Sequence, residues 1–180
     1  EDYNVPGYWE QGPGGQRWTY FRSRAESHNT LVLDPDACED QDPTSTSVVT
    51  RFRSASDGAF TITDLTGAYR GTPARRGVGL LDGRSHVVVQ DELSPIEATD
   101  LWWFVHTRAQ ITLSNGDRTA LLTQDGKTLR ASLVGLPGAT FSVTPAAPLP
   151  TSPTATNTAS AGVQRLTIHA TVSGPTSPAR

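Results

Sequence analysis

One cysteine, one lysine and no long apolar run set the first limits on this chain of 180 residues. Cys38 has no partner for an internal disulfide, so it neither requires nor excludes an oxidising compartment. No apolar stretch approaches the roughly 18 residues needed to span a membrane. The N-terminus also lacks the basic-then-apolar pattern of a secretion signal, so either the protein stays inside the cell or the chain begins after such a signal. No segment repeats its apolar residues with the 3.6-residue period of a helix, and there is no internal repeat. A glycine-rich phosphate loop and a nucleophile elbow are both missing. Cys38 itself sits in an acidic loop, which disfavours the thiolate that nucleophilic chemistry would need. The net charge of −3, without a recognition-helix pattern, argues against nucleic acid as a partner.

What is present is a succession of strand signals. The composition of 36% hydrophobic residues with 16 Gly and 13 Pro suits a domain that buries a real core and joins many short strands by tight turns. Leu31–Leu33, Ser47–Phe52, Ala59–Thr63, Val78–Leu81, His86–Gln90, Leu101–His106, Gln110–Leu113, Thr119–Thr123, Thr128–Leu133, Ala139–Val143 and Val163–Val172 read as strands. Asp82-Gly83, Asn115-Gly116 and Asp125-Gly126 supply the positive φ of hairpin turns between them. Residues 144–162 are a Pro/Ser/Thr/Ala loop. The expected fold is all-β, an antiparallel β-sandwich. Residues 1–25, rich in aromatics, Gly and Pro, read as a lead-in segment, and residues 26–180 as the sandwich domain.

Charge is unevenly spread. Residues 1–50 hold nine acids against three Arg, whereas residues 51–84 hold six Arg against Asp57, Asp64 and Asp82. Fourteen of the fifteen cationic residues are Arg, the side chain suited to planar, bidentate recognition of carboxylates. Genome composition produces the same bias.

Candidate chemistry gathers around His28, at the mouth of the first strand. Alternation puts His28, Thr30, Val32 and Asp34 on one face. Phe60, Ile62 and Asp64 share another, as do His86, Val88 and Gln90, and likewise Trp102, Phe104 and His106. Two histidines and an aspartate from neighbouring strands would suit a zinc ion with an open fourth position, although no pair has a local metal-motif spacing. Ordinary strand histidines are the plain alternative. Tyr69 enters an Arg-rich turn containing Arg70, Arg75 and Arg76, where positive charge favours phenolate and hence proton transfer on an acidic sugar. Capping of the sandwich edge is the plain reading of that tyrosine. Trp102 and Trp103 should split, one ring to the core and one to the opposite face. His169, on a late strand, reads as structural.

The segments Arg24-Ala-Glu-Ser-His-Asn-Thr-Leu-Val-Leu33, Asp40-Gln-Asp-Pro43, Thr63-Asp-Leu-Thr-Gly-Ala-Tyr69, Val87-Val-Val-Gln-Asp-Glu92, Trp102-Trp-Phe-Val-His-Thr107 and Pro148-Leu-Pro-Thr-Ser-Pro153 lie in order along the chain. Together they resemble the C-terminal β-sandwich of heparinase II/III-like polysaccharide lyases, most of all the oligoalginate-lyase branch. The resemblance implies a carbon–oxygen lyase that cleaves uronic-acid polysaccharide, alginate- or heparin-like, by β-elimination. The sandwich would form one wall of a cleft against an N-terminal α/α toroid of the same parent chain, and would be inactive without it. By the same resemblance His28 and Tyr69 are the catalytic candidates, and Asn29, Arg70, Arg76 and His106 face the anionic substrate. A structural zinc would sit between His28, Asp64 and His86, with Asp42 as the alternative carboxylate. The resemblance favours a periplasmic or secreted enzyme, with a cytoplasmic oligosaccharide lyase as the other case. The rival reading is a sandwich that binds carbohydrate through Trp102, Trp103 and the Arg segment without catalysis, or a purely structural module.

Overall fold

Tight turns and strand alternation generate the architecture directly. In the computed structural model, which describes residues 4, 6–10, 12, 15–35, 41–152 and 160–173, three short 3₁₀ turns (Gln16–Thr19, Phe21–Ser23 and Ala25–Ser27) precede eleven strands. These are β1 (Leu31–Leu33), β2 (Val48–Ala55), β3 (Gly58–Asp64), β4 (Ala74–Leu81), β5 (His86–Leu93), β6 (Thr99–Thr107), β7 (Gln110–Ser114), β8 (Thr119–Gln124), β9 (Lys127–Ser132), β10 (Phe141–Pro145) and β11 (Gln164–Val172). Cys38, Asp40 and Pro153 lie outside the described residues. The predicted hairpins are present. Asp125 and Gly126 have φ of 49° and 70° and connect Gln124 to its partner Lys127, as a two-residue turn requires. Asp82-Gly83 and Asn115-Gly116 also take positive φ at both positions.

The chain divides into two compact units. The first, residues 1–40 and 100–171, contains the sheets β1-β6-β11-β10 and β7-β8-β9. Their inner faces share one core: Ala120 and Leu122 of β8 with Phe141, Leu166 and Ile168 of β10 and β11, flanked by Trp103, Val105 and Ile111. This is an antiparallel β-sandwich. The outer face of the four-stranded sheet is covered too, by a second cluster of Ala25, Val32, Phe104 and Leu149, with Trp102 against it. The two adjacent tryptophans therefore split across the sheet, as alternation demands. Burial on both faces explains why Arg165–Ile168 are all buried rather than alternating.

The residues of the lead-in segment belong to this unit. Phe21 is 0% exposed. Glu26, also 0% exposed, ties the segment down: its carboxylate accepts hydrogen bonds from Arg24 Nε (3.0 Å), Leu149 N (2.9 Å) and Ser152 Oγ (2.6 Å). A buried carboxylate is tolerated only with such partners.

The second unit, residues 41–99 and 172–180, is built on the meander β2-β3-β4-β5. Large apolar side chains remain open to solvent on it, among them Phe52 (71% exposed) and Val87 (66% exposed).

Glu26→Ala should lower the stability of the chain to urea by about 3–5 kcal/mol, because Arg24 is left charged and buried. The pair Arg24→Met with Glu26→Leu should recover most of that loss. A single-mutant cost below about 1 kcal/mol would show that the carboxylate is not an anchor.

Candidate active site

Backbone pairing brings His28 and His106 together. Leu31, Val32 and Leu33 of β1 pair with Trp103, Trp102 and Leu101 of β6, and the ladder continues outward through Phe104 N–H to Thr30 O (3.1 Å). Two further steps in the same register carry His28 to the level of His106. His28 follows the last 3₁₀ turn, and its N–H donates to Ala25 O at 2.9 Å, so an extended, exposed residue leaves a locally fixed turn.

Asn29 locks the partner strand. Its Oδ1 accepts the backbone N–H of His106 at 2.7 Å and faces His106 Nδ1 at 3.4 Å. Because the backbone N–H is a donor, that Asn29 atom is the oxygen. Nδ1 facing it therefore carries the ring proton, which leaves Nε2 with its lone pair. Nε2 is buried and has no hydrogen-bond partner. Burial, the Arg165 cation and His28 push the His106 pKa down to about 4, so this imidazole is neutral at physiological pH. Arg165 is itself buried, donates to the Glu26 carbonyl (3.3 Å) and to Thr144 Oγ1 (3.2 Å), and lies 4.5 Å over the Phe104 ring. Sequence reasoning did not single it out.

A second polar cluster occupies the Asp100 end of β6. Asp100 accepts from Trp102 Nε1 (2.9 Å), approaches His169 Nε2 at 2.6 Å, and pairs through its backbone with Asp34. The His169 ring stacks on Trp102 with centroids 3.7 Å apart. His169 thus has a specific carboxylate partner that its strand position alone did not announce. The stack covers one face of the Trp102 indole, and Trp103 packs on the inner core beside Phe141.

The remaining candidates lie in the second unit. Tyr69 is 4% exposed, and its Oη accepts from Gln41 Nε2 at 2.9 Å. Arg76 spends its fork on Asp91, at 2.6 and 2.9 Å, so its charge is already matched by a carboxylate. Arg70 is exposed in a turn with φ 54°.

The expected zinc set is corrected by sheet register. Asp64 pairs with Arg75 and His86 with Leu81, at opposite ends of β4 and about 20 Å apart at 3.3 Å per residue. Asp64 accepts the Thr66 N–H (2.9 Å), and Asp42 accepts both the N–H and the hydroxyl of Thr44 (2.8 and 2.6 Å). These turn-closing bonds hold both carboxylates below their ordinary pKa. Asp42 N donates to Ala68 O, near the Asp64 end, so the alternative carboxylate is no closer to His86. His86 contacts Ser85 and Asp82 on an exposed turn. Among the described residues no group of three His, Cys, Asp or Glu is placed to hold a metal ion.

Residues 6–177 match the family described as Heparinase II/III-like, C-terminal, and the chain belongs to that family. The fold is similar to that of a heparan sulfate lyase HepC mutant from Pedobacter heparinus, with a TM-score of 0.59 and 12% identity. That alignment covers 87% of this chain and 26% of the lyase, so the chain spans about a quarter of that protein's length. No curated protein matches the sequence. The family match begins at residue 6, within the segment read from sequence as a lead-in.

His106 makes stability depend on pH with a defined sign. Its folded pKa lies below the ordinary 6.5, so between about 6.5 and about 4 the unfolded chain binds a proton that the folded chain does not. Stability contributed by the neutral ring is complete above that window and is lost as pH falls through it. The drop in Tm from pH 7 to pH 4.5 should therefore be smaller in His106→Gln than in the wild type. Equal drops would show that His106 titrates normally.

Proposed function

We propose that the chain is the C-terminal β-sandwich region of a polysaccharide lyase that cleaves uronic-acid-containing polysaccharide by β-elimination, and that it forms one wall of the active cleft. The observation that carries this reading is the His28–Asn29–His106 cluster in a member of the Heparinase II/III-like C-terminal family. β-Elimination needs a group that removes the proton α to the carboxylate, a group that steadies the enolate-like intermediate, and an acid for the leaving oxygen. His28 is exposed and next to an uncharged imidazole, so it can reach substrate without a second ring charge beside it. Asn29 and His106 are positioning residues: one fixes the β1–β6 junction, the other keeps the neighbourhood of His28 neutral. The protonated form of His28 would meet the substrate carboxylate.

Tyr69 enters as the second proton-transfer group through the family resemblance, and its hydroxyl would have to exchange Gln41 for substrate. An unsulfated uronate of the oligoalginate type is the substrate class we infer, on the family resemblance of the sequence. The N-terminal partner is an α/α toroid in the parent chain, which supplies the rest of the constellation. A zinc ion is not needed by any of these steps.

In the full-length enzyme, His28→Ala should reduce kcat on polymannuronate by at least about 100-fold, with circular dichroism and KM little changed. Retention of activity would remove His28 from the chemistry. Tyr69→Phe separates two roles: a proton-transfer residue loses activity by a comparable factor. A merely structural phenol loses hydrogen bonding such as that to Gln41, about 1 kcal/mol of stability, and keeps its turnover.

A further inference from the structure

Unit two carries a cleft that the lyase chemistry does not use. Two of its glycines, Gly77 and Gly79, lie at alternate positions of the central strand β4 and so leave one face of the meander without side chains along its middle. Phe60 and Ile62 of β3 rise on one side, and Val88, Gln90 and Glu92 of β5 on the other. The result is a trough of about 330 Å³, closed towards its ends by Arg75 and Leu81. That volume is at the small end of the roughly 300–1,000 Å³ of ligand clefts, which suits a short stretch of a longer chain.

Charge on this face has one prevailing sign at the β2 wall. Register sets Arg53 beside Phe60 and Arg51 beside Ile62, and the Arg51 guanidinium lies 5.9 Å from the centre of the Phe60 ring. Arg53 is paired with Asp57 and Arg75 with Glu92, but all four side chains are more than half exposed. Exposed pairs of this kind contribute little and yield readily to a competing anion. Half of the six Arg in the 51–84 segment thus project from the trough face, beside an aromatic ring and the Gln90 amide.

We infer that this trough binds a short run of an acidic polysaccharide, its ring faces against Phe60, Ile62 and Val88 and its carboxylates towards Arg51, Arg53 and Arg75. Its residues are other than those of the His28–Asn29–His106 cluster. The choice of a saccharide rests on the lyase reading. Asp64 and Glu92 share the face at the Arg75 end. The preference for an anion therefore rests on Arg51, which has no carboxylate partner among the described residues, and on exchange of the exposed Arg53 and Arg75 pairs.

The test is titration of the 180-residue chain with tetramannuronate, followed by calorimetry and by amide chemical shifts, with mannotetraose as the neutral control. Binding of tetramannuronate, weakened at least fivefold between 50 and 500 mM salt and absent for mannotetraose, is the expected result. Gly77→Val fills the floor: a Cβ there meets only Gln90 O and Thr61 O, both at 3.9 Å. A β-branched residue also suits a strand interior better than glycine, so Tm should hold or rise while affinity falls at least tenfold. Arg51→Ala should weaken binding about fivefold by loss of one phase of attraction, and Val87→Ser, on the opposite face, should not change it. Undiminished binding by folded Gly77→Val, or no binding by the wild type, overturns the proposal. Equal binding of a tetraglutamate peptide overturns it as a saccharide site. None of these readings requires turnover, so a parent enzyme that fails to cleave uronate would defeat the lyase assignment without deciding this one.

Discussion

A buried carboxylate holds the first unit to its working shape. Glu26 accepts three hydrogen bonds through its side chain, from Arg24, Leu149 and Ser152, and its carbonyl accepts one from Arg165. The first set pins residues from before β1 to the loop after β10, which lie more than a hundred positions apart in sequence. The last places a permanent cation against Phe104 and near His106. An ion pair of this kind is weak evidence for stability, because desolvation consumes most of the attraction. Its value lies in geometry: the carboxylate has one arrangement in which every partner is satisfied. The two histidines inherit that arrangement, since His28 leaves the turn containing Glu26 and His106 feels Arg165.

The two units solve the problem of burial differently. In the sandwich both faces of the four-stranded sheet are covered, so a strand such as β11 carries a run of four buried residues, Arg165 included. In the meander the ladder hydrogen bonds, the glycine turns and the Arg76–Asp91 fork do the holding, while valines and Phe52 stay in water. Sheets with apolar faces open to solvent are normally blunted or covered. A polymer lying in the glycine trough would cover part of one face, which gives the exposed Val88 and half-buried Phe60 a purpose other than packing.

Much of the fold was legible because it is local. Asp125-Gly126 announces its turn type, and alternation alone sends Trp102 and Trp103 to opposite faces. His28 at the mouth of β1 was equally visible. The metal set failed for a reason that alternation cannot supply. Strand faces were read correctly for Asp64 and for His86, but which end of the sheet each occupies depends on register, and register put them six positions apart on β4. Asn29 and His106 were each visible as candidates. Their bond to one another, across 77 positions, follows only once β1 is known to pair with β6. Arg165 left no signal at all, because an arginine in an alternating strand ordinarily faces water.

The neutrality of His106 bears on how the cluster treats an acidic substrate. Two protonated imidazoles side by side would attract a uronate strongly, but they would stabilise the bound ground state as much as the developing enolate, and uniform binding does not raise turnover. One neutral ring changes the balance. With His106 uncharged, the pair does not present two like charges to the substrate. Burial does most to keep His106 neutral, and the buried Arg165 cation, which lies over Phe104 on the same face of the sheet, adds to it. A fixed internal cation beside an exposed imidazole is what the Glu26 anchor ultimately secures, and it ties the buried charges of the sandwich to an exposed histidine.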